Sequence, residues 1–463
     1  MASEWLGQEP ERKPRALQAR ETRAFDETAE IARMVAEAAD PLPDPDDPRF
    51  GACFEPFADA RVVLLGEASH GTSEFYRARA AITRWLIEHQ GFNIVAVEAD
   101  WPDAAVIDRY VRYRGKAKNA RDAFTRFPTW MWKNREVRQF TEWLRDHNRM
   151  RADGARAGFY GLDLYNLQGS IRAVIDYLDR VDPEAAQVAR ARYGCILPWS
   201  EEPAVYGRIA LTRGYAPCED AVAEMLTDML KRDLAERDGE DDFVDAAMNA
   251  RLVQDAEAYY RVMYYGSEES WNLRDTHMFD TLEALLEARG PDAKAVVWAH
   301  NSHIGDARAT DMGKARGELN LGQLCRQRWG EAARLIGFGT HAGTVACASD
   351  WDEPMEVKRV LPSRADSYEA IAHQAGAGPW LLDLRAGRHA ALRERLMAPR
   401  LERFIGVIYR PETERWSHYV ECVLPEQFDA FVWFDETTAV TPLPAARSGD
   451  HETGGEDTWP SGL

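Results

Sequence analysis

At 463 residues, with 45% apolar residues and fifteen tryptophans, the chain has material for a large folded core of one domain or several. Its 77 acidic against 57 basic residues leave a formal net charge of −20, which opposes a polyanion footprint and sets nucleic acid aside as a partner. No stretch reaches the roughly 18 apolar residues of a membrane span, and MASEWLGQEPERKPR lacks the apolar core of a secretion signal, so a cytoplasmic location and no membrane contact are expected. The six cysteines are scattered without a C-x-x-C pair and are expected to be free thiols.

Residues 1 to about 24 are charged and poor in large apolar groups, and a mobile leader is expected there. Glu27 to Ala39 has helical spacing, the Pro-Asp run from Pro41 to Pro48 ends it, and the folded core is expected to begin near Phe50. Val62–Gly71 reads VVLLGEASHG: four β-favouring residues form a buried strand, Gly66 breaks it, and Glu67 and His70 follow at its end. Thr72 or Ser73 can then cap a helix that runs to Gln90 and stops at Gly91, with Phe75, Ala78, Ile82 and Leu86 on its inner face. Arg79 falls on that same face, whereas Arg77 and Arg84 project away.

A second buried strand, Asn93 to Asp100, ends on Glu98 and Asp100. Helical segments at Ala104–Arg114 and Asn134–Met150 flank an aromatic loop, FPTWMWK, and a third strand at Ala157–Leu162 ends on Asp163. Strands alternating with helices at this spacing predict an α/β fold with a central, mostly parallel sheet flanked by helices. Residues 170–290 carry helical patterns without a clear strand and are expected to form a large insertion or lid. The sheet resumes at Lys294–Ala299, which runs into His300 and His303, and continues at Ala333–Phe338 and Pro379–Leu384. Arg403–Tyr409 is a further candidate strand, and Phe431–Phe434 an edge or terminal one. The expected organisation is therefore 1–45 leader and short helix, 46–169 and 291–443 two parts of one α/β core, 170–290 the helical insertion, and 444–463 a disordered tail.

In open parallel sheets, ligands bind beyond the carboxyl ends of the strands. Four apolar runs end on Glu67/His70, Glu98, Asp163 and His300/His303, which points to one shared site. A G-x-S-x-G elbow, an H-E-x-x-H helix and a phosphate loop are all missing. Ser69 and Ser302 adjoin histidines only along the chain, which argues against a serine hydrolase. The remaining groups suit activation of water: a neutral histidine takes the proton, a carboxylate fixes its tautomer, and Arg79 or a second imidazole stabilises an oxyanion. The same histidines and glutamates also form a plausible ligand set for zinc or another divalent metal, so cofactor-free and metal-dependent hydrolysis both stand.

LGEASHGTSEFYRARAAI, VAVEADWPDA, GFYGLDLYNLQGS, NLRDTHMFDTL, VVWAHNSHIGDARATDMG and GELNLGQL together resemble the erythromycin esterase family, in order, from about Phe50 to Leu443. The resemblance implies a central α/β sheet with a large helical portion forming a cleft. It also implies cofactor-independent hydrolysis of a macrolactone or simpler ester, an activity tied to macrolide resistance in some members. It makes His70 the base, with Glu67 and Glu98 around it, Arg79 a site arginine, and His300 and His303 the completing imidazoles, of which His303 is the favoured participant. Asp163, Trp101, Arg274 and Asp275 become supporting residues on the substrate side. Trp130, Trp132, Trp199 and Trp271 join Trp101 as candidate cleft walls for a macrolide or a glycan. A non-catalytic accessory protein that binds such a ligand is the reading from another class.

Overall fold

The computed structural model describes residues 15–114, 123–124, 126–211, 217–235, 241–264 and 266–443, apart from the side chains of 15–26 and 232–235. The first part of the expected leader and the whole 444–463 tail lie outside these residues. Eleven strands are described: β1 (Asp40–Pro41), β2 (Val62–Leu65), β3 (Ile94–Asp100), β4 (Gly158–Asp163), β5 (Ala295–Trp298), β6 (Ala333–Cys347), β7 (Glu356–Val360), β8 (Trp380–Asp383), β9 (Arg400–Arg403), β10 (Tyr419–Cys422) and β11 (Ala430–Thr437). Nine of them form one sheet in the order β1-β8-β11-β6-β2-β5-β3-β4, with β7 paired to β6, while β9 and β10 make a separate pair.

From β11 to β4 the neighbours are parallel, and the antiparallel pairings are β1–β8, β8–β11 and β6–β7. This is the expected mostly parallel sheet, with one correction: β11 lies inside it, between β8 and β6. Strand order depends on which long connection returns where, and the local pattern of β11 carries no record of it. Leu65 pairs with Trp298, and Trp298 with Val97, so β2, β5 and β3 end level and direct the residues that follow toward one rim.

Alternation along the strands divides the core into two faces. Val62, Leu64, Ile94 and Ala96 join the cluster under the helical block, whereas Val63, Leu65, Val95 and Val97 join the cluster beneath the helices Ser73–Gln90 and Arg135–Asn148. Burying each of the valine, leucine and isoleucine side chains among these stabilises the fold by about 1.5–3 kcal/mol. The described residues between β4 and β5 form helices and their connections with no strand, including the helices Leu167–Val181, Asp241–Val262 and Ser267–Ala288.

Three further expectations need correction. The first helix spans Arg15–Ala38 and packs on the helix Tyr368–Ala375, with Ile31, Ala32 and Val35 buried in the main core cluster, so the core begins well before Phe50. Arg403–Tyr409 is not a continuous strand: β9 ends at Arg403, and Ile405 and Ile408 make single bridges to Ser69 and Ala348. Cys195 and Cys218 are paired as a disulfide within the helical block, which corrects the expectation of six free thiols; the pairing joins positions 23 residues apart, beyond the reach of a C-x-x-C search. Cys53, Cys325, Cys347 and Cys422 are free.

Candidate active site

The GEASHG turn after β2 carries the first half of the site. Gly71 has φ of +70°, and a Cβ there would sit 2.2 Å from the Ala346 carbonyl, so only glycine lets the turn pass under β6. Glu67 and His70 are three residues apart in this turn, and His70 Nδ1 donates to Glu67 Oε1 at 2.8 Å. Donation from Nδ1 leaves the lone pair on Nε2, which faces the cleft. Behind Glu67 stands Arg79, whose Nη2 donates to Oε2 at 2.7 Å, with both side chains fully buried.

Arg79 thus reaches the site only through Glu67. Its guanidinium lies over the rings of Tyr76 and Trp298, 4.4 and 5.3 Å from their centroids, on the sheet face away from the helical block. The expectation of Arg79 as an oxyanion stabiliser is corrected accordingly: the helix does aim it inward, but toward the back of the turn and not into the cleft.

The cation set beside the strand-end carboxylates in the cleft is Arg274, delivered by the helix Ser267–Ala288. Its Nη2 donates to Glu98 Oε1 at 2.8 Å and Asp163 Oδ2 at 2.7 Å, Nε to Asp163 Oδ1 at 3.0 Å, and Nη1 to His303 Nε2 at 3.0 Å. Burial works against the charged guanidinium, but Asp163, Tyr165 and Glu98 outweigh it and raise its pKa well above the ordinary value. Burial alone would likewise raise Glu98; His303, His70, Arg274 and the His300 amide together hold it well below the usual carboxylate range. Glu98 Oε1 stands 3.9 Å from His70 Nε2, too far for a direct hydrogen bond.

The two histidines after β5 differ in state. Ser302 donates its backbone N–H to His300 Nδ1 at 3.2 Å, with Ser302 Oγ 2.8 Å from the same nitrogen. Because a backbone amide can only donate, Nδ1 is the acceptor and Nε2 carries the ring proton. That Nε2 is buried, has no hydrogen-bond partner among the described residues, and belongs to a ring 5.0 Å from that of His70. Burial and then the neighbouring His70 push the His300 pKa well below its ordinary value, so the ring stays neutral. Ser302 therefore pairs with His300, two residues away, and not with the adjacent His303, as a turn contact that sets a tautomer.

His303 Nδ1 contacts both Asp275 oxygens, at 3.0 and 2.9 Å, and its ring stacks on Trp271 at 4.6 Å. Burial lowers its basicity, but Asp275 and Glu98 outweigh burial and raise its pKa. Its Nε2 is engaged by Arg274, so His300 presents the freer nitrogen to the cleft, the reverse of the expected preference for His303.

These groups line a cavity of about 450 Å³, within the size range of small-molecule sites. His70, Glu98, Asp163, Arg274, His300 and His303 all face it, with Trp132 and Trp271 among its walls. Glu67 and Asp275 lie one bond behind, each on a histidine. Trp101 is elsewhere: it stacks on Tyr160 at 5.8 Å and donates Nε1 to Asp245 at 2.8 Å, since helix formation from Trp101 onward turns its ring under the helical block. Trp130 and Trp199 are also outside the lining.

Sequence reasoning passed over Arg126, Trp351, Arg410 and Asp100, all of which line the cavity. Asp100 carries a carboxyl pushed up to about 7, by burial first and by Asp163 and Asp103 next, against the pull of Arg126. Its position two residues beyond Glu98 at a strand end was the available signal; the other three sit on loops without a periodic pattern. Among the described residues, no group of three or more His, Cys, Asp or Glu is arranged to hold a metal ion.

The chain is similar to the putative hydrolase YbfO of Bacillus subtilis (strain 168), at 21% identity over 409 residues covering 82% of this chain and 84% of that protein. It is also similar to erythromycin esterase type I of Escherichia coli, at 23% identity over 307 residues covering 61% of this chain and 70% of that one. The solved structure of an erythromycin esterase mutant, EreC, in its open conformation matches the fold with a TM-score of 0.62, at 19% identity over 86% of this chain and 98% of that chain. The model of the Erythromycin esterase family matches residues 87–437, and the chain belongs to the erythromycin esterase family and is a hydrolase of that family.

Proposed function

We propose that the protein hydrolyses a carboxylic ester or macrolactone, with His70 as the base that activates water. The observation that carries this reading is the 2.8 Å contact of His70 Nδ1 with Glu67, which leaves Nε2 as an acceptor facing the cleft. Water bound between His70 Nε2 and Glu98 loses a proton to Nε2 as its oxygen adds to the carbonyl carbon. Negative charge then develops on the former carbonyl oxygen, and the Nε2–H of His300 is the unused donor to receive it. When the tetrahedral intermediate collapses, the C–O bond breaks and the leaving alkoxide takes the proton back from His70. The products are an acid and an alcohol, or one hydroxy acid when the ester is a ring.

Glu67 holds the tautomer and balances the imidazolium charge, and Arg79 fixes Glu67. Arg274 holds Glu98 and Asp163 in place, and this route uses no metal. Turnover of a panel of macrolides and p-nitrophenyl esters by wild type and His70→Ala, with and without chelator, tests the proposal. Activity lost in His70→Ala and indifferent to chelator is the expected result; turnover retained in the variant would overturn it.

A further inference from the structure

Glu402 is fully buried and plays no part in the chemistry above, yet it stands behind both turns that carry it. Its Oε1 accepts from Asn301 Nδ2 at 3.1 Å, and its Oε2 from Cys422 Sγ at 3.2 Å. Asn301 sits between His300 and His303 and ties three segments together. Its backbone N–H donates to Glu67 O at 2.9 Å, Nδ2 donates to Phe338 O at 2.8 Å, and Oδ1 accepts from Phe338 N at 3.3 Å. The fit is close: a Cβ on Gly66 would stand 2.1 Å from Asn301 Oδ1. Three residues beyond Glu402, Ile405 donates to Ala68 O at 2.8 Å and accepts from His70 N at 3.0 Å.

We propose that Glu402 is a positioning residue: its carboxyl group, acting through Asn301, fixes the His300–His303 turn against the Glu67–His70 turn, so that the two imidazoles keep their separation.

The same surroundings determine the state in which it does so. The groups facing Glu402 are the Asn301 amide, the Cys422 thiol of β10, Glu369 from the helix Tyr368–Ala375, and Gln427 from Leu424–Gln427. None is a cation. The next residue, Arg403, sends its side chain to Glu414, Tyr419 and main-chain carbonyls and only its amide to Glu369. Burial, and then the neighbouring Glu369, push the Glu402 carboxyl up to about 8. Glu369 is raised by burial as well, and burial puts the Cys422 thiol well above its usual range. Glu369 Oε2 and Gln427 Oε1 are buried in the same cluster without hydrogen-bond partners among the described residues. These surroundings favour the neutral acid, and ionisation would place a buried charge with no cation beside it, a cost relieved by moving the carboxylate and with it the Asn301 turn.

The effect on turnover rests on the hydrolytic reading; the effect on the histidines does not, and the experiment separates them. Glu402→Gln keeps a neutral planar group, while Glu402→Leu removes the acceptor for Asn301. Infrared difference spectra between wild type and Glu402→Gln at pH 6 should contain the C=O stretch of a protonated carboxyl group. In ¹⁵N-histidine NMR, the signals of His300 and His303 should shift as wild type is titrated through about pH 8, and this step should vanish in Glu402→Gln. With p-nitrophenyl acetate, kcat of wild type should fall over that range, Glu402→Gln should keep wild-type kcat at pH 7 without the fall, and Glu402→Leu should lose about 10²-fold in kcat. Absence of the carboxyl band, or a histidine step that persists in Glu402→Gln, overturns the proposal even if Glu402→Leu fails to fold. Failure of wild type to cleave any ester overturns the hydrolytic reading alone, and the two spectroscopic results still decide the role of Glu402.

Discussion

Arg79→Met tests how the base is held. The guanidinium and the Glu67 carboxylate meet at 2.7 Å with no exposure on either side chain, so neither finds water when the other is removed. At charge centres about 4 Å apart and an effective dielectric near 20, the attraction is about 4 kcal/mol. That agrees with the roughly 3–5 kcal/mol lost when one partner of a buried pair is deleted. Methionine fills part of the space over Tyr76 and Trp298 and forfeits the two cation–π contacts. Urea denaturation should therefore show a loss of about 3–5 kcal/mol. Glu67→Gln should cost a similar amount, because it strands Arg79, and should also lower kcat by up to about 10⁴-fold, since an amide cannot hold the His70 tautomer against the developing charge. The double variant Glu67→Gln/Arg79→Met removes both charges and should regain most of the lost stability while staying inactive. That split between recovered folding and absent turnover is the result the arrangement requires. Stability of Arg79→Met within about 0.5 kcal/mol of wild type, the range of ordinary surface substitutions, would refute it.

Arg274→Met should leave Glu98 and Asp163 without their shared cation and cost about 3–5 kcal/mol in denaturation experiments, with the Glu98 pKa rising as seen by carboxyl NMR. His300 is neutral when folded but protonates near pH 6.5 when unfolded, so the unfolded state binds more protons below that pH and stability falls as the solution is acidified. His300→Gln should lack this component, and its stability should decline less between pH 7 and 5, by up to about 1.4 kcal/mol per pH unit, in parallel urea titrations. Trp101→Phe removes the Nε1 donor to Asp245 without touching the cleft; it should cost about 1 kcal/mol of stability and leave KM unchanged, and a raised KM would return Trp101 to the substrate side.

The rim of the sheet was legible because each strand announces its own end: an apolar run stops on Glu67, Glu98, Asp163 or His300, and parallel pairing brings those ends level. Arg79 shows where such reading stops. Helical periodicity identified its buried face correctly, but which side of the sheet that face meets depends on the alternation of Val63 and Leu65 against Val62 and Leu64, a relation between elements. Arg274 was visible only as part of a motif, since its inward position follows from docking a whole helix onto β3 and β4. Arg126, Trp351 and Arg410 carry no periodic signal, because loop positions are set by what the loops connect. The interior place of β11 was hidden for a similar reason: its partners β8 and β6 are chosen by topology.

Within the site, the carboxylates come from the strands and the guanidinium from the helix, with 176 residues separating Arg274 from Glu98 and 111 separating it from Asp163. A change that undocks the helix Ser267–Ala288 would therefore leave Glu98 and Asp163, which lie on different strands, without the guanidinium that pairs with both.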